Sequence, residues 1–144
     1  MKSFDNMKPI YIVDDSADQR LLLGYFIKRI NPEYQITFFD GGRALLDSLA
    51  IAAETGTALP QIIVLDLQMP GMTGYQVLKM IKSPDQNEKH KEIPVVILSS
   101  HMDQDLINQC LDAGALAFLH KPVDFEQLRK LLSGADILAT RSAR

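Results

Sequence analysis

The chain has 144 residues, 47% of them hydrophobic, with a net charge of −3, one cysteine and no tryptophan. That length suits one domain with a sound core, and no run of Lys or Arg is present to track a nucleic-acid backbone. Cys110, alone, excludes an internal disulfide and fits a reducing cytoplasm; a polar N-terminus and the lack of a long apolar stretch predict neither a signal peptide nor a membrane span.

Ile10-Tyr11-Ile12-Val13 is the first apolar run and reads as a buried strand that ends at Asp14-Asp15. Ser16 and Gln19 have capping-box spacing, and Leu22, Leu23, Phe26, Ile27 and Ile30 recur at helical intervals until Asn31-Pro32 stops the helix. Ile36 to Phe39 is a second strand, closed by the turn Asp40-Gly41-Gly42. A second helix on Ala44, Leu45, Leu49 and Ala52 runs toward Gly56. Pro60 introduces Ile62-Ile63-Val64-Leu65, which ends at Asp66. Met69 to Gly74 forms a loop, and Val77, Leu78 and Ile81 mark a third helix. A long polar stretch from Ser83 to Glu92 leads through Pro94 into Val95-Val96-Ile97-Leu98, ending at Ser99. Leu106, Ile107, Cys110 and Leu111 line a fourth helix, with Gly114 at its C-terminal cap. Ala117-Phe118-Leu119 is a short fifth strand before Lys121, and Asp124 caps a last helix on Leu128, Leu131 and Leu132.

Strands and helices alternate five times, the pattern of a doubly wound α/β sheet. Continuous apolar strands mean a parallel sheet buried on both faces. Parallel strands end on the same side, so Asp14, Asp15, Asp66, Ser99 and Lys121 gather at one edge, where open α/β sheets bind ligands. Three clustered carboxylates repel one another, and a hard divalent cation with oxygen ligands is the usual relief.

These residues resemble the receiver domain of two-component response regulators. The likeness rests on Asp14-Asp15, on Asp66 in Asp-Leu-Gln-Met-Pro-Gly-Met-Thr-Gly, on Ser99 in Pro-Val-Val-Ile-Leu-Ser-Ser and on Lys121-Pro122 after Ala-Gly-Ala. It spans residues 9–133, leaving residues 1–8 as an N-terminal extension and 134–144 as a C-terminal tail. The resemblance implies a flavodoxin-like, five-stranded parallel sheet of order 2-1-3-4-5 with helices on both faces. It implies phosphorylation of Asp66 by a histidine kinase or histidine phosphotransfer protein. Mg²⁺ would be held by Asp15, Asp66 and the backbone carbonyl of Gln68, with Asp14 in contact through water. Lys121 would pair with Asp66 and then with a phosphoryl oxygen, and Ser99 would donate its hydroxyl to another. Ser99 and Phe118 would form the conformational switch, acting on a downstream protein through the surface near the fourth and fifth helices. The Lys121-Pro122 peptide is typically cis in this family. The expected protein is a cytoplasmic stand-alone receiver, monomer or weak dimer, catalysing only its own phosphorylation and dephosphorylation. Two features depart from the common pattern. Ser99 replaces threonine and so lacks the methyl that restricts χ1, and the segments Ala52 to Pro60 and Ser83 to Pro94 are longer than usual, the second resembling receivers that partner phytochrome-like and other multi-sensor kinases.

Alternatives are a Mg²⁺-dependent phosphohydrolase with an aspartyl-phosphate intermediate and a flavodoxin-like nucleotide binder. The first would carry an Asp two residues beyond the nucleophile, where this chain has Gln68. The second would want a Gly/Ser/Thr-rich loop after the first strand, where this chain has Asp-Asp-Ser-Ala-Asp. Asp14-Asp15 alone would be read as a helix cap, but Ser16 is available for that task. Met69 and Met72 read as loop packing, Cys110 as inert core, and His90, His101 and His120 as partly exposed residues rather than phosphodonors or ligands. Gln68 and His101, two residues beyond Asp66 and Ser99, stand where they would set the lifetime of a phosphoryl group.

Overall fold

The computed structural model describes residues 8–83 and 87–142, with side chains to residue 134. Most of the N-terminal extension, residues 84–86 of the polar insertion, and the last two residues of the tail lie outside the described residues. In chain order the elements are β1 (Lys8–Val13), α1 (Ala17–Ile30), β2 (Tyr34–Phe39), α2 (Gly42–Thr55), β3 (Ile62–Asp66), α3 (Gly74–Ile81), α4 (Glu88–Lys91), β4 (Val95–Ser99), α5 (Gln104–Asp112), β5 (Ala117–His120) and α6 (Phe125–Ser142). The strands form one parallel sheet in the order β2-β1-β3-β4-β5.

Strand alternation splits the core into two layers. Val13, Ile63, Leu65, Val95 and Ile97 point toward α2, α3 and α5, where they meet Leu45, Leu49, Val77, Leu78, Ile81 and Cys110. Ile10, Ile12, Ile62, Val64, Val96 and Leu98 point the other way, onto Leu23 and Ile27 of α1 and Leu128 and Leu132 of α6. Both faces of the central strands are therefore covered, which is why their sequences are apolar without a polar alternate.

Several local details differ from the expectation. Ser16 caps α1 by accepting from the Gln19 N–H at 3.3 Å, but its own N–H goes to Asp14 Oδ1 at 2.9 Å, so Gln19 does not close a reciprocal box. The reciprocal box occurs instead at α3, where Thr73 and Gln76 exchange both bonds. The polar insertion contains a one-turn helix, α4, capped by Asn87. That turn overturns the reading of His90 as partly exposed: the residue is 5% exposed. The insertion is anchored by Lys82, whose ammonium donates to the carbonyls of Lys91 at 2.7 Å and Ile93 at 2.6 Å. α6 continues to Ser142, well past Leu132. His101 and His120 are exposed, Met69 and Cys110 are buried, and Gly114 follows α5 at φ +110°.

Candidate functional site

Register decides the site. Val13 pairs with Leu65, so the next residues, Asp14 and Asp66, emerge side by side from adjacent strands. Asp66 pairs with Leu98 across to β4, and Ser99 pairs with His120 on β5, so Ser99 and Lys121 follow one step beyond on either side. The Lys121 N–H donates to the Ser99 carbonyl at 2.8 Å, which extends the ladder to the lysine itself, and the Lys121-Pro122 peptide is cis.

Asp14 and Asp66 are 1% and 2% exposed, whereas Asp15 is open to solvent. One carboxylate oxygen from each of the three lies within 4.8 Å of the others. Lys121 Nζ bridges the two buried acids, 3.1 Å from Asp14 Oδ2 and 3.0 Å from Asp66 Oδ1. The two contacts are not equivalent. The bond to Asp14 has hydrogen-bond geometry, while Asp66 Oδ1 is buried and receives no well-directed hydrogen bond. Its contact with the ammonium is an ion pair. Asp14 is also fixed from the backbone side, because Arg20 Nη1 donates to its carbonyl at 2.7 Å.

The electrostatics follow from this packing. Burial pushes the Asp66 carboxyl above its ordinary value; Lys121 opposes that shift and the neighbouring Asp14 charge reinforces it. Burial on its own would lower the Lys121 ammonium, but its bonds and charge interactions with Asp66 and Asp14 outweigh it and leave the pKa raised. All the oxygens that converge here are hard donors, and two of the three carboxylates are buried with one ammonium between them. That donor set fits a Mg²⁺-like ion rather than a soft metal.

On the β4 side, the buried Ser99 hydroxyl donates to Gln68 Oε1 at 3.1 Å and accepts from the His101 N–H at 3.0 Å. Phe118 lies half-buried on β5 against the α2–α3–α5 layer of the core. The structure thus brings Asp14, Asp15, Asp66 and Lys121 into one cluster and sets Ser99 and Gln68 beside it, bonded to each other. His101 reaches this group through its backbone. Its ring nitrogen Nδ1 is 3.2 Å from the Ser100 hydroxyl.

Two contributors escaped sequence reasoning. Gly74 begins α3 directly behind the site, and a Cβ there would lie 2.3 Å from the Asp66 carbonyl oxygen. The signal was present as the last residue of Met-Pro-Gly-Met-Thr-Gly, but a glycine at ordinary φ gives no turn signature. The Ser99–Gln68 bond joins residues 31 apart, and nothing in the sequence marks such a pair.

A five-stranded sheet of this order with acids and a lysine at its C-terminal edge defines a receiver-type α/β domain. The response regulator receiver domain family model matches residues 10–133, and the chain belongs to that family of two-component signalling proteins. It is 36% identical to the two-component response regulator ORR4 of Oryza sativa subsp. indica, with 86% of this chain aligned, and spans 57% of that protein's length. The signal receiver domain of a DNA-binding response regulator (merR) from Colwellia psychrerythraea 34H superposes with a TM-score of 0.77 at 24% identity, covering 88% of this chain and 96% of that one. The Mn²⁺-bound form of response regulator Rcp1 superposes with a TM-score of 0.67 at 27% identity, covering 88% and 90% of the two chains. No helix among the described residues is long and apolar enough to cross a membrane.

Proposed function

We propose that this receiver is a phosphoacceptor switch in which Asp66 takes a phosphoryl group from the phosphohistidine of a histidine kinase or histidine phosphotransfer protein. The observation that carries this reading is the buried Asp66 carboxylate, short of one hydrogen bond, held between Lys121 and the Asp14–Asp15 pair. A carboxylate oxygen of Asp66 attacks phosphorus in line. The P–O bond forms as the P–N bond breaks, and the imidazole departs with the electron pair. The protein has little covalent work to do beyond positioning and balancing charge.

Mg²⁺ held by Asp15, Asp66 and the Gln68 carbonyl, with Asp14 nearby, would neutralise charge on the transferred oxygens. Lys121 keeps Asp66 ionised against its burial before transfer, then swings its contact onto a phosphoryl oxygen. Ser99 gives its hydroxyl proton to another. As Ser99 is drawn in, its loop vacates space that the Phe118 ring can occupy, and the changed surface near α5 and α6 is what a downstream protein reads. A phenyl ring, unlike a tyrosine, has no hydroxyl to satisfy when it turns inward. Gln68 is a neutral amide, unable to serve as the acid/base of a phosphohydrolase, which favours a signalling role over turnover.

The test is incubation with acetyl phosphate and Mg²⁺ followed by intact-mass analysis. One hydroxylamine-labile phosphoryl group is expected on the wild type and none on Asp66→Asn. Equal labelling of the two would refute the assignment. Ser99→Ala should accept the group without the chemical-shift change around α5 and β5, and Phe118→Ala should weaken target binding with labelling intact.

A further inference from the structure

We infer that the Gln68 side chain is a latch on the switch: it holds the Ser99 hydroxyl in the unphosphorylated state by competing for the proton that a phosphoryl oxygen would later take. This rests on the phosphoacceptor reading of Asp66 and adds to it a positioning residue that sets the resting equilibrium.

The Ser99 hydroxyl has one proton and is fully buried at the end of β4. Its proton is directed to Gln68 Oε1 at 3.1 Å, and its oxygen receives the His101 N–H at 3.0 Å. The hydroxyl therefore ties the β4–α5 loop, through His101, to the loop that follows Asp66, through Gln68. A phosphoryl oxygen on Asp66 can gain the Ser99 proton only if Gln68 gives it up. Serine makes this competition consequential. With no γ-methyl to restrict χ1, the hydroxyl has little rotamer preference of its own, so its hydrogen-bond partner decides where it points. Gln68 itself lies on the exposed surface, so its side chain can be changed with little effect on packing, and the backbone carbonyl proposed as a metal ligand is retained.

Gln68→Met keeps the length of the side chain and removes the acceptor. A neutral hydrogen bond with one solvent-exposed partner sits at the low end of the usual range, so its loss should favour the switched state by about 2- to 5-fold. Three readouts test this by NMR. Without metal or phosphoryl analogue, the His101 amide signal of Gln68→Met should move part-way along the line joining the free and beryllofluoride-bound positions of the wild type. With Mg²⁺ and beryllofluoride, Gln68→Met should bind the analogue about 2- to 5-fold more tightly. In a Ser99→Ala background, Gln68→Met should change neither the shift nor the affinity, because the pair is coupled only through the Ser99 proton. Equal affinity of wild type and Gln68→Met would overturn the latch while leaving Asp66 as phosphoacceptor. The same gain persisting in the Ser99→Ala background would overturn it too, and would assign Gln68 a shielding role instead. Failure of the wild type to bind beryllofluoride at all would remove the phosphoacceptor reading, and the latch with it.

Discussion

Replacing Lys121 by methionine isolates what the ammonium does for the acid cluster. At 3.0 and 3.1 Å from Asp66 and Asp14, and with an effective dielectric constant of about 20, each attraction is roughly 5 kcal/mol gross. Desolvation of all three groups offsets most of that, but removing one member of a buried set leaves the others uncompensated, at a net cost of about 3–5 kcal/mol. The pH dependence carries the sharper test. Asp66 is already raised above 3.8 by burial, and without Lys121 it rises further. A carboxyl whose folded pKa lies above its unfolded one binds its proton more tightly in the native state, so its effect is to lower stability as pH rises through that window. Lys121→Met should therefore lie closer to wild type at pH 4 than at pH 7.5, because the Asp66 carboxyl, its pKa raised, gains a proton as the pH falls. At pH 7.5 it should melt lower by about 6–12 °C for a loss of ~3 kcal/mol. Urea or thermal denaturation monitored by circular dichroism at both pH values, without divalent metal, reads this directly. A deficit of the same size at pH 4 and pH 7.5 would mean that the side chain acts by packing alone, and the electrostatic account would be wrong.

Gly74→Ala should destabilise by about 1–3 kcal/mol and slow acetyl-phosphate labelling, since a Cβ placed 2.3 Å from the Asp66 carbonyl oxygen must displace the strand end; wild-type values in both assays would dismiss Gly74 as a support of the site. His90→Leu should stabilise the protein most at low pH. The buried imidazole, with Nε2 unpartnered, is lowered below 6.5 by burial, so the wild type loses stability as pH falls through 6.5 toward that depressed value, and the leucine variant should lack this slope in urea midpoints from pH 5 to 7.5. Asp15→Asn should raise the melting temperature of the metal-free protein by relieving repulsion from Asp14 and Asp66, while abolishing both the stabilisation by added Mg²⁺ and the labelling of Asp66. Unchanged labelling would exclude Asp15 as a ligand.

Much of this site was legible because strand and chemistry coincide in the sequence. Each candidate site residue directly follows an apolar run or stands one or two positions beyond it, and in a parallel sheet every such position falls on the same edge. Asp14 and Asp66 are neighbours because β1 and β3 pair with Val13 opposite Leu65. That register was not written in either strand, but no other edge was open to them. His90 shows the opposite case. It is flanked by Glu88 and Lys89 on one side and Lys91 and Glu92 on the other, and only the turn of α4, held by Lys82 across the insertion, leaves it buried. Burial there is a long-range outcome, invisible to local polarity. The same holds for the last helix, which continues past Leu132 through residues whose pattern reads as a tail.

By itself, then, the chain determined its alternation of strands and helices, its two-faced core and the types of group at the site, because hydrophobic period and end-of-strand position are local properties. Tertiary structure decided which of those groups touch. It left Asp66 Oδ1 without a well-directed hydrogen bond beside Lys121, set Gly74 against the Asp66 backbone, and gave the Ser99 proton to Gln68. Such contacts depend on ångström-scale placement between elements far apart in sequence, and only the packed sheet supplies it.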